Sequence, residues 1–409
     1  MAKFAFVVPP LTGHINPTLS VGAELLLRGH EVGWISLEPA LQEKLPPGGQ
    51  LLLIQYDETN NGEENQPYMD AIQQKNVYGV ESIKFLYDDV LVPLNRYMFP
   101  GIMEWLDTFQ PDVVINDHEL FAGAMAAVKK GIPYATAVTA PAAVRAMDNL
   151  PKVKEWGDQR IVALQLSLGL TATQPIQCSD QLTLVFTSKT FFGDKELPDY
   201  YQFVGPVIAH RPANIPFEWE RFYHMGQPHK VLVSIGTTFD HTYKKDFFSK
   251  VCTALGNEPL TVVVVSDPAL FDTWPDNFIV QEKVPQLGLL PYLDAVVCHG
   301  GHNTVCETLA HHLPLVVIPI AYDQSFVAGC VTATESGVRL NFKRFKAEHL
   351  KNAVWDVLQD PKYAAAAQQV KTSFENAGGT GRTAALLEEL AVSGPLTTVH
   401  SPQSLTQQL

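Results

Sequence analysis

Positive charge is scarce in this 409-residue chain: 29 Lys and Arg stand against 43 Asp and Glu, a net charge of −14. Nucleic acids and anionic membranes recruit Lys and Arg, so neither is expected as a main partner. Cysteine is also sparse. The five present, at 178, 252, 298, 306 and 330, form no CxxC pair and leave one over, which suits a reducing cytoplasm rather than a disulfide framework. No apolar run approaches the roughly 20 residues that would span a bilayer. Residues 4–11 are apolar but lack a basic flank and a cleavage signal, and are expected to form a first strand rather than a signal peptide. With 46% hydrophobic residues and a mean hydropathy near zero, the composition is that of a soluble globular protein. Cys298, His299, His302 and Cys306 offer zinc-type ligand atoms. However, the two glycines among them serve a turn and Cys298 closes an apolar run, so no metal is expected there.

What is present is a rhythm. Apolar, β-branched runs recur at 4–8, 32–36, 51–54, 113–115, 135–138 and 182–186, separated by helical stretches such as 19–28, which stops at Gly29. The pattern restarts at 231–235, 261–265, 278–280, 295–298 and 315–318. Strands alternating with helices predict parallel, doubly wound sheets. Between the two sets lies a poorly periodic stretch with prolines at 206, 212, 216 and 228. It divides the chain into an α/β domain at 1–206, a linker at 207–228, a second α/β domain at 229–390 and a flexible tail at 391–409.

The second domain holds the most informative segment, His299-Gly-Gly-His-Asn-Thr-Val-Cys-Glu307. It follows an apolar run that reads as a buried parallel strand. Two glycines allow a tight turn and close approach of a ligand. Asn303 or Thr304 is placed to cap the helix that follows, so free N–H groups and a positive dipole face the turn. Such a terminus binds phosphate. His299 adds a donor, and Glu307, one turn on, is placed to accept from ribose hydroxyls. An ordinary strand–turn–helix would use the same residue types.

These residues resemble the nucleotide-sugar signature of the UDP-dependent glycosyltransferase family that acts on small lipophilic acceptors. The match runs Gln286…His299-x-Gly301-x-Asn303-Thr304…Glu307…Pro319…Asp323-Gln324, with a second patch at Val7-Val-Pro-Pro-Leu-Thr-Gly-His14-Ile-Asn-Pro17. The resemblance covers the chain to about residue 390. It implies a GT-B fold, two Rossmann-like domains facing across a cleft, whose last helix crosses back onto the first domain. It makes His14 the catalytic base, a role that suits imidazole near neutral pH. Asp117, after the apolar run 112–116, is its implied partner, with Asn116 and His118 competing for that place. Thr237, in Ser234-Ile-Gly-Thr-Thr238, matches a diphosphate contact. Val284 and Gln286 would read the pyrimidine, and Asp323 and Gln324 the sugar hydroxyls. No DxD-like carboxylate pair stands where a metal-bound diphosphate would want it, so metal-independent transfer is expected, the diphosphate being held by donors alone.

Two departures mark a bacterial-type member. Lys283 stands where plant members carry the Trp of Trp-x-Pro-Gln, and His302 stands in place of a second Trp. The donor therefore stays open between a UDP-sugar, which is favoured, and a dTDP-sugar. Aromatics and methionines at 68, 69, 78, 85, 87, 97, 98, 99 and 105, and the irregular stretch 147–156, either line an acceptor pocket or build core. The acceptor class expected is a hydrophobic, hydroxyl-bearing small molecule. The reading is an inverting glycosyltransferase. A nucleotide-sugar epimerase and a non-catalytic nucleotide-sugar-binding protein are the alternatives.

Overall fold

The computed structural model describes residues 1–55, 80–145, 150–208, 215–236, 241–321 and 323–393. Among these residues thirteen strands form two sheets, and every strand pair is parallel. The first has the order β3-β2-β1-β4-β5-β6-β7, built from β1 (Lys3–Val7), β2 (Glu31–Ser36), β3 (Gln50–Leu53), β4 (Val113–Asp117), β5 (Tyr134–Val138), β6 (Leu182–Val185) and β7 (Tyr201–Phe203). The second has the order β10-β9-β8-β11-β12-β13, with β8 (His229–Ser234), β9 (Leu260–Val265), β10 (Phe278–Gln281), β11 (Ala295–Cys298), β12 (Leu315–Val317) and β13 (Gly337–Arg339). Strands β1, β4, β5, β8 and β11 are buried nearly end to end, as central strands covered by helices on both faces must be. The apolar runs predict eleven strands; β7 and β13 are the two they miss. Both are three-residue edge strands, too short and too mixed to give a signal.

Strand order places the chemistry. In the first sheet the chain moves outward from β1 on one side to β2 and on the other to β4, so β1 and β4 flank the point where strand order reverses. In the second sheet β8 and β11 do the same. Crevices at the carboxyl ends of such neighbours are where open α/β sheets bind ligands.

Two local structures differ from the expectation. The helix expected at 19–28 starts at Thr12 and runs to Leu27, so His14 lies in its first turn rather than in a preceding loop. Pro17 falls inside this helix, where it removes the N–H that would bond the Gly13 carbonyl. Within the expected linker, a short helix at Trp219–His224 puts Phe222 fully into the second core, and Arg221 donates to the Phe278 carbonyl at 2.7 Å. That part of the stretch packs with the second sheet.

The C-terminal helix Gly379–Ser393 crosses to the first sheet. Ala384, Leu387 and Leu390 join the core made by Phe4, Phe6 and Trp34. At its edge, Arg28 and His30 both reach Glu388, at 2.8 Å each. The residues expected to form the tail lie, from 394 on, outside the described residues.

Candidate active site

The first-sheet half of the site is built at the ends of β1 and β4. Asp117 closes β4 and is 1% exposed. Its Oδ2 accepts from His14 Nδ1 at 2.9 Å, so this residue, and not Asn116 or His118, meets the imidazole. Asn116 is turned away, bonded to Thr136 and to the Asp117 carbonyl. His118 lies beside the pair, its ring stacked on His14 at 5.4 Å and its Nδ1 3.4 Å from Asp117 Oδ1. Thr139, after β5, donates to Asp117 Oδ2 at 3.0 Å and sits 2.9 Å from His14 Nδ1. Sequence reasoning missed Thr139 because only the pairing of β5 with β4 brings it there.

The carboxylates set the charge of His14. Burial pulls its pKa down, but Asp117 and then Glu119 pull it up more strongly, to about 9. Asp117 moves the opposite way: burial raises its pKa, and the two neighbouring histidines bring it well below the ordinary carboxylate value. The carboxylate thus favours the protonated imidazole, and the imidazole favours the ionised carboxylate. Asp323, across the cleft, is raised to about 6 by burial, with His14 acting against the rise.

The second-sheet half is the turn after β11. Gly300 takes φ +90, a left-handed conformation, and an added Cβ would meet Val317 at 2.9 Å. The His299 ring lies against Gly236 and Gly301; a Cβ on either would come within 2.9 or 2.6 Å of it. The helix that follows is His302–Ala310, with Gly301 as its N-cap. This corrects the expected cap: neither Asn303 nor Thr304 serves, because the glycine's extended backbone starts the helix earlier. Its first internal bond is Val305 N–H to the Gly301 carbonyl, so the N–H groups of His302, Asn303 and Thr304 point out of the helix end. His299 is the electrostatic opposite of His14. Burial lowers its pKa to about 4, the Ser234 backbone opposing this, and its buried Nδ1 has no hydrogen-bond partner.

The other expected donor residues divide. Gln286 donates to Glu307 Oε2 at 2.6 Å, so the two residues expected to read base and ribose are bonded to each other, and Val284 is buried. Gln324 accepts from the Ile320 and Ala321 N–H groups at 2.8 and 3.0 Å, so its carbonyl braces its own loop. Thr237 lies outside the described residues, as do residues 68, 69, 78 and 147 of the acceptor set. Of the rest, Phe85, Tyr87, Met98 and Phe99 are core, and Tyr97, Trp105 and Trp156 pack against it.

A hydrogen bond links the halves of the site. Asn303 Nδ2 donates to the Gly13 carbonyl at 2.9 Å. In an unbroken helix that carbonyl would accept from the N–H four residues on, but residue 17 is proline and has none. Pro17 thus leaves an acceptor beside His14 that the second domain fills. His302 Nε2 lies 3.0 Å from the Phe186 carbonyl and adds a second contact between the halves. As for metals, His14, Asp117 and His118 are the group, among the described residues, whose ligand-type atoms lie within 4.8 Å of one another. Their spacing is that of a hydrogen-bonded network.

Two doubly wound sheets with this crevice have the architecture of the GT-B fold. The calicheamicin glycosyltransferase CalG4 superposes with a TM-score of 0.74 at 21% identity, over 96% of this chain and 99% of that one. The spinosyn rhamnosyltransferase SpnG complexed with thymidine diphosphate gives 0.74 at 17%, over 95% and 100%. In sequence, residues 181–373 match the family described as UDP-glucoronosyl and UDP-glucosyl transferase. The NDP-glycosyltransferase YjiC of Bacillus subtilis (strain 168) is 27% identical over 394 residues, 93% of this chain and 95% of that protein. The chain is thus similar to the UDP-sugar glycosyltransferase family, through the family match in its second half and through relatives aligned over nearly its whole length. No helix of the described residues is long and apolar enough to cross a membrane.

Proposed function

We propose that this chain is an inverting, metal-independent glucosyltransferase that moves glucose from UDP-glucose to a hydroxyl of a lipophilic small molecule of natural-product type. The observation that carries this reading is the pairing of two unlike histidine turns across one crevice, joined by the Asn303–Gly13 bond. Asp117 holds Nδ1 of His14, which turns Nε2 toward the acceptor. His14 Nε2, once deprotonated, takes the acceptor's O–H proton. The oxygen forms its bond to the anomeric carbon while the bond to the diphosphate breaks on the opposite face, the electron pair leaving with the diphosphate. Inversion follows from that single displacement. The departing charge meets the N–H groups at the start of the helix His302–Ala310 and the neutral His299. Thr237 would add a donor there. Glu307 and Gln286, already bonded to each other, would hold ribose and base with Val284, and Asp323 with the amide of Gln324 would hold the sugar.

The His14–Asp117–His118 group is read as proton-transfer machinery rather than a metal site, because Asp117 already spends its oxygens on the two imidazoles, Thr139 and the Glu119 N–H. A second donor reading has its own support. The neighbour SpnG holds thymidine diphosphate, and Lys283 removes the aromatic platform of plant members. The test is thermal unfolding with UDP, dTDP, UDP-glucose and dTDP-glucose in parallel. Ligand at about 100 times its Kd adds roughly 2.7 kcal/mol. A shift with uridine nucleotides supports the proposal, a shift with dTDP alone moves it to deoxysugar transfer, and no shift with any of the four overturns it.

A further inference from the structure

The imidazole of His118 lies beside His14 and has no step of its own in the reading above. The two rings are nearly parallel, 11° apart, with centroids 5.4 Å from each other. Both address one carboxylate, each through its own oxygen. His14 Nδ1 reaches Asp117 Oδ2 at 2.9 Å, and His118 Nδ1 stands 3.4 Å from Oδ1. Thr139 Oγ1 is near both, 2.9 Å from His14 Nδ1 and 3.5 Å from His118 Nδ1. The His118 side chain is 4% exposed, so packing rather than solvent sets its place.

The backbone that carries it is fixed on each side. The His118 N–H donates to the Ala137 carbonyl at 3.1 Å, where the pairing of β4 with β5 ends. The Glu119 N–H donates to Asp117 Oδ1 at 2.9 Å, and the Glu119 carbonyl accepts from Asn95 Nδ2, also at 2.9 Å. Asn95, fully buried on the helix Val92–Phe109, accepts in turn from the Ala122 N–H at 2.7 Å. His118 therefore meets Asp117 from a rigid frame.

A ring nitrogen that faces a carboxylate in a buried site carries its proton there, since two lone pairs would repel. His118 is thus a second donor to Asp117, longer and weaker than His14. Both imidazoles hold the Asp117 carboxyl well below its ordinary pKa. The converse bears on His14. A carboxylate whose charge is shared among several donors attracts each proton less than it would attract one alone. The titratable groups around His14 are Asp117, Glu119, His118 and, from the second domain, Asp323, which also faces His118. Three of these are carboxyl groups that favour its protonated form. His118 is the one that works against them.

We propose that His118 is a positioning residue that divides the charge of Asp117 between two imidazoles, so that His14 gives up its proton more readily and is free as a base over a wider pH range. The proposal rests on His14 being the base.

The test compares His118→Phe, which keeps a stacked ring but no donor, with His118→Asn, whose amide returns a donor near the Nδ1 position. Ring-nitrogen NMR on the full chain reads the His14 titration without any substrate. The pH profile of kcat/KM reads the base of the free enzyme, with 2-naphthalenemethanol as a non-ionising acceptor and UDP- or dTDP-glucose, whichever binds. Wild-type His14 should titrate near pH 9. In His118→Phe both readouts should move up by roughly 0.5–1 pH unit, the scale of one modest hydrogen bond. Below the wild-type limb kcat/KM should then fall by about 3–10-fold, with the gap closing above it. His118→Asn should return the titration toward wild type. A purely structural defect would lower kcat/KM equally at every pH and leave the NMR titration in place. If His118→Phe does not fold, His118→Leu, which also lacks a donor, carries the test, and the NMR titration decides if transfer to this alcohol is too slow to follow. A His14 titration that stays or falls in the donor-free variant, or an Asn variant that behaves like it, would overturn the proposal. His14→Ala separates the two readings. If it transfers sugar at the wild-type rate, the base assignment fails and this role with it; if it is inactive while the His14 titration ignores His118, only the role of His118 fails.

Discussion

The turns after β1 and after β11 share one plan, a buried parallel strand, a short turn and a helix, with the histidine in the helix's first turn in one case (His14) and directly after the strand in the other (His299). Their histidines end in opposite states. His14 is flanked by Asp117, Glu119 and Thr139, and holds its proton up to about pH 9. His299 lies between glycine backbones with no carboxylate beside it, and stays neutral down to about pH 4. Strand order puts both at switch points; neighbours decide what each does. A base benefits from a partner that stabilises its protonated form, whereas a group beside a leaving diphosphate is useful as a neutral, fixed donor. On the proposed reading, one residue type in one topological place takes two roles.

The largest expected break in this contrast is Asp117→Asn. It leaves His14 a neutral partner, and turnover should fall by about 10²–10⁴-fold. In the same variant, ring-nitrogen NMR should show the His14 pKa falling from about 9 toward its ordinary 6.5, while His299 stays near 4. The sign also fixes a stability effect. A histidine raised on folding stabilises fully below about pH 6.5, and that contribution is lost as pH rises through about 9. Denaturant titrations of wild type between those limits should lose stability that Asp117→Asn never had.

Gly236→Ala tests the other turn. Residue 236 has φ +76, and a Cβ there would press on the His299 ring at 2.9 Å. The expected cost is about 1–3 kcal/mol of stability, read by chemical denaturation, with weaker nucleotide binding and an unchanged His14 titration. The smallest effect concerns the bond between the turns. Pro17→Ala restores an N–H that competes for the Gly13 carbonyl, and Asn303→Ala removes the donor from the other side. Each should cost on the order of 1 kcal/mol in transfer, and the double variant should cost little more than the worse single one. Full additivity would show that the bond does not join the two turns.

How far the sequence discloses all this follows from the range of each cause. Central strands announce themselves because burial on both faces demands continuous apolar runs; the edge strands β7 and β13, three residues each, carry no such demand. His14, Asp117, His299 and Glu307 are legible through the family resemblance and their positions after strands. Thr139 and Asn95 are not, since each meets the site only through the packing of separate elements. The helix ends shift for local reasons: Gly301 caps in place of Asn303, and Asn303 turns to Gly13. Aromatics at 85–105 fill the core because a helix lies across the first sheet there, something their spacing alone does not separate from a pocket lining.

The most direct test sets the two turns against each other in one experiment, with nucleotide affinity and sugar transfer measured for both His14→Ala and His299→Ala. The account predicts that His14→Ala keeps nucleotide affinity within about twofold and loses transfer by at least about 10²-fold, whereas His299→Ala weakens nucleotide binding as well. Transfer at the wild-type rate by His14→Ala, or equal loss of binding in both variants, would contradict it.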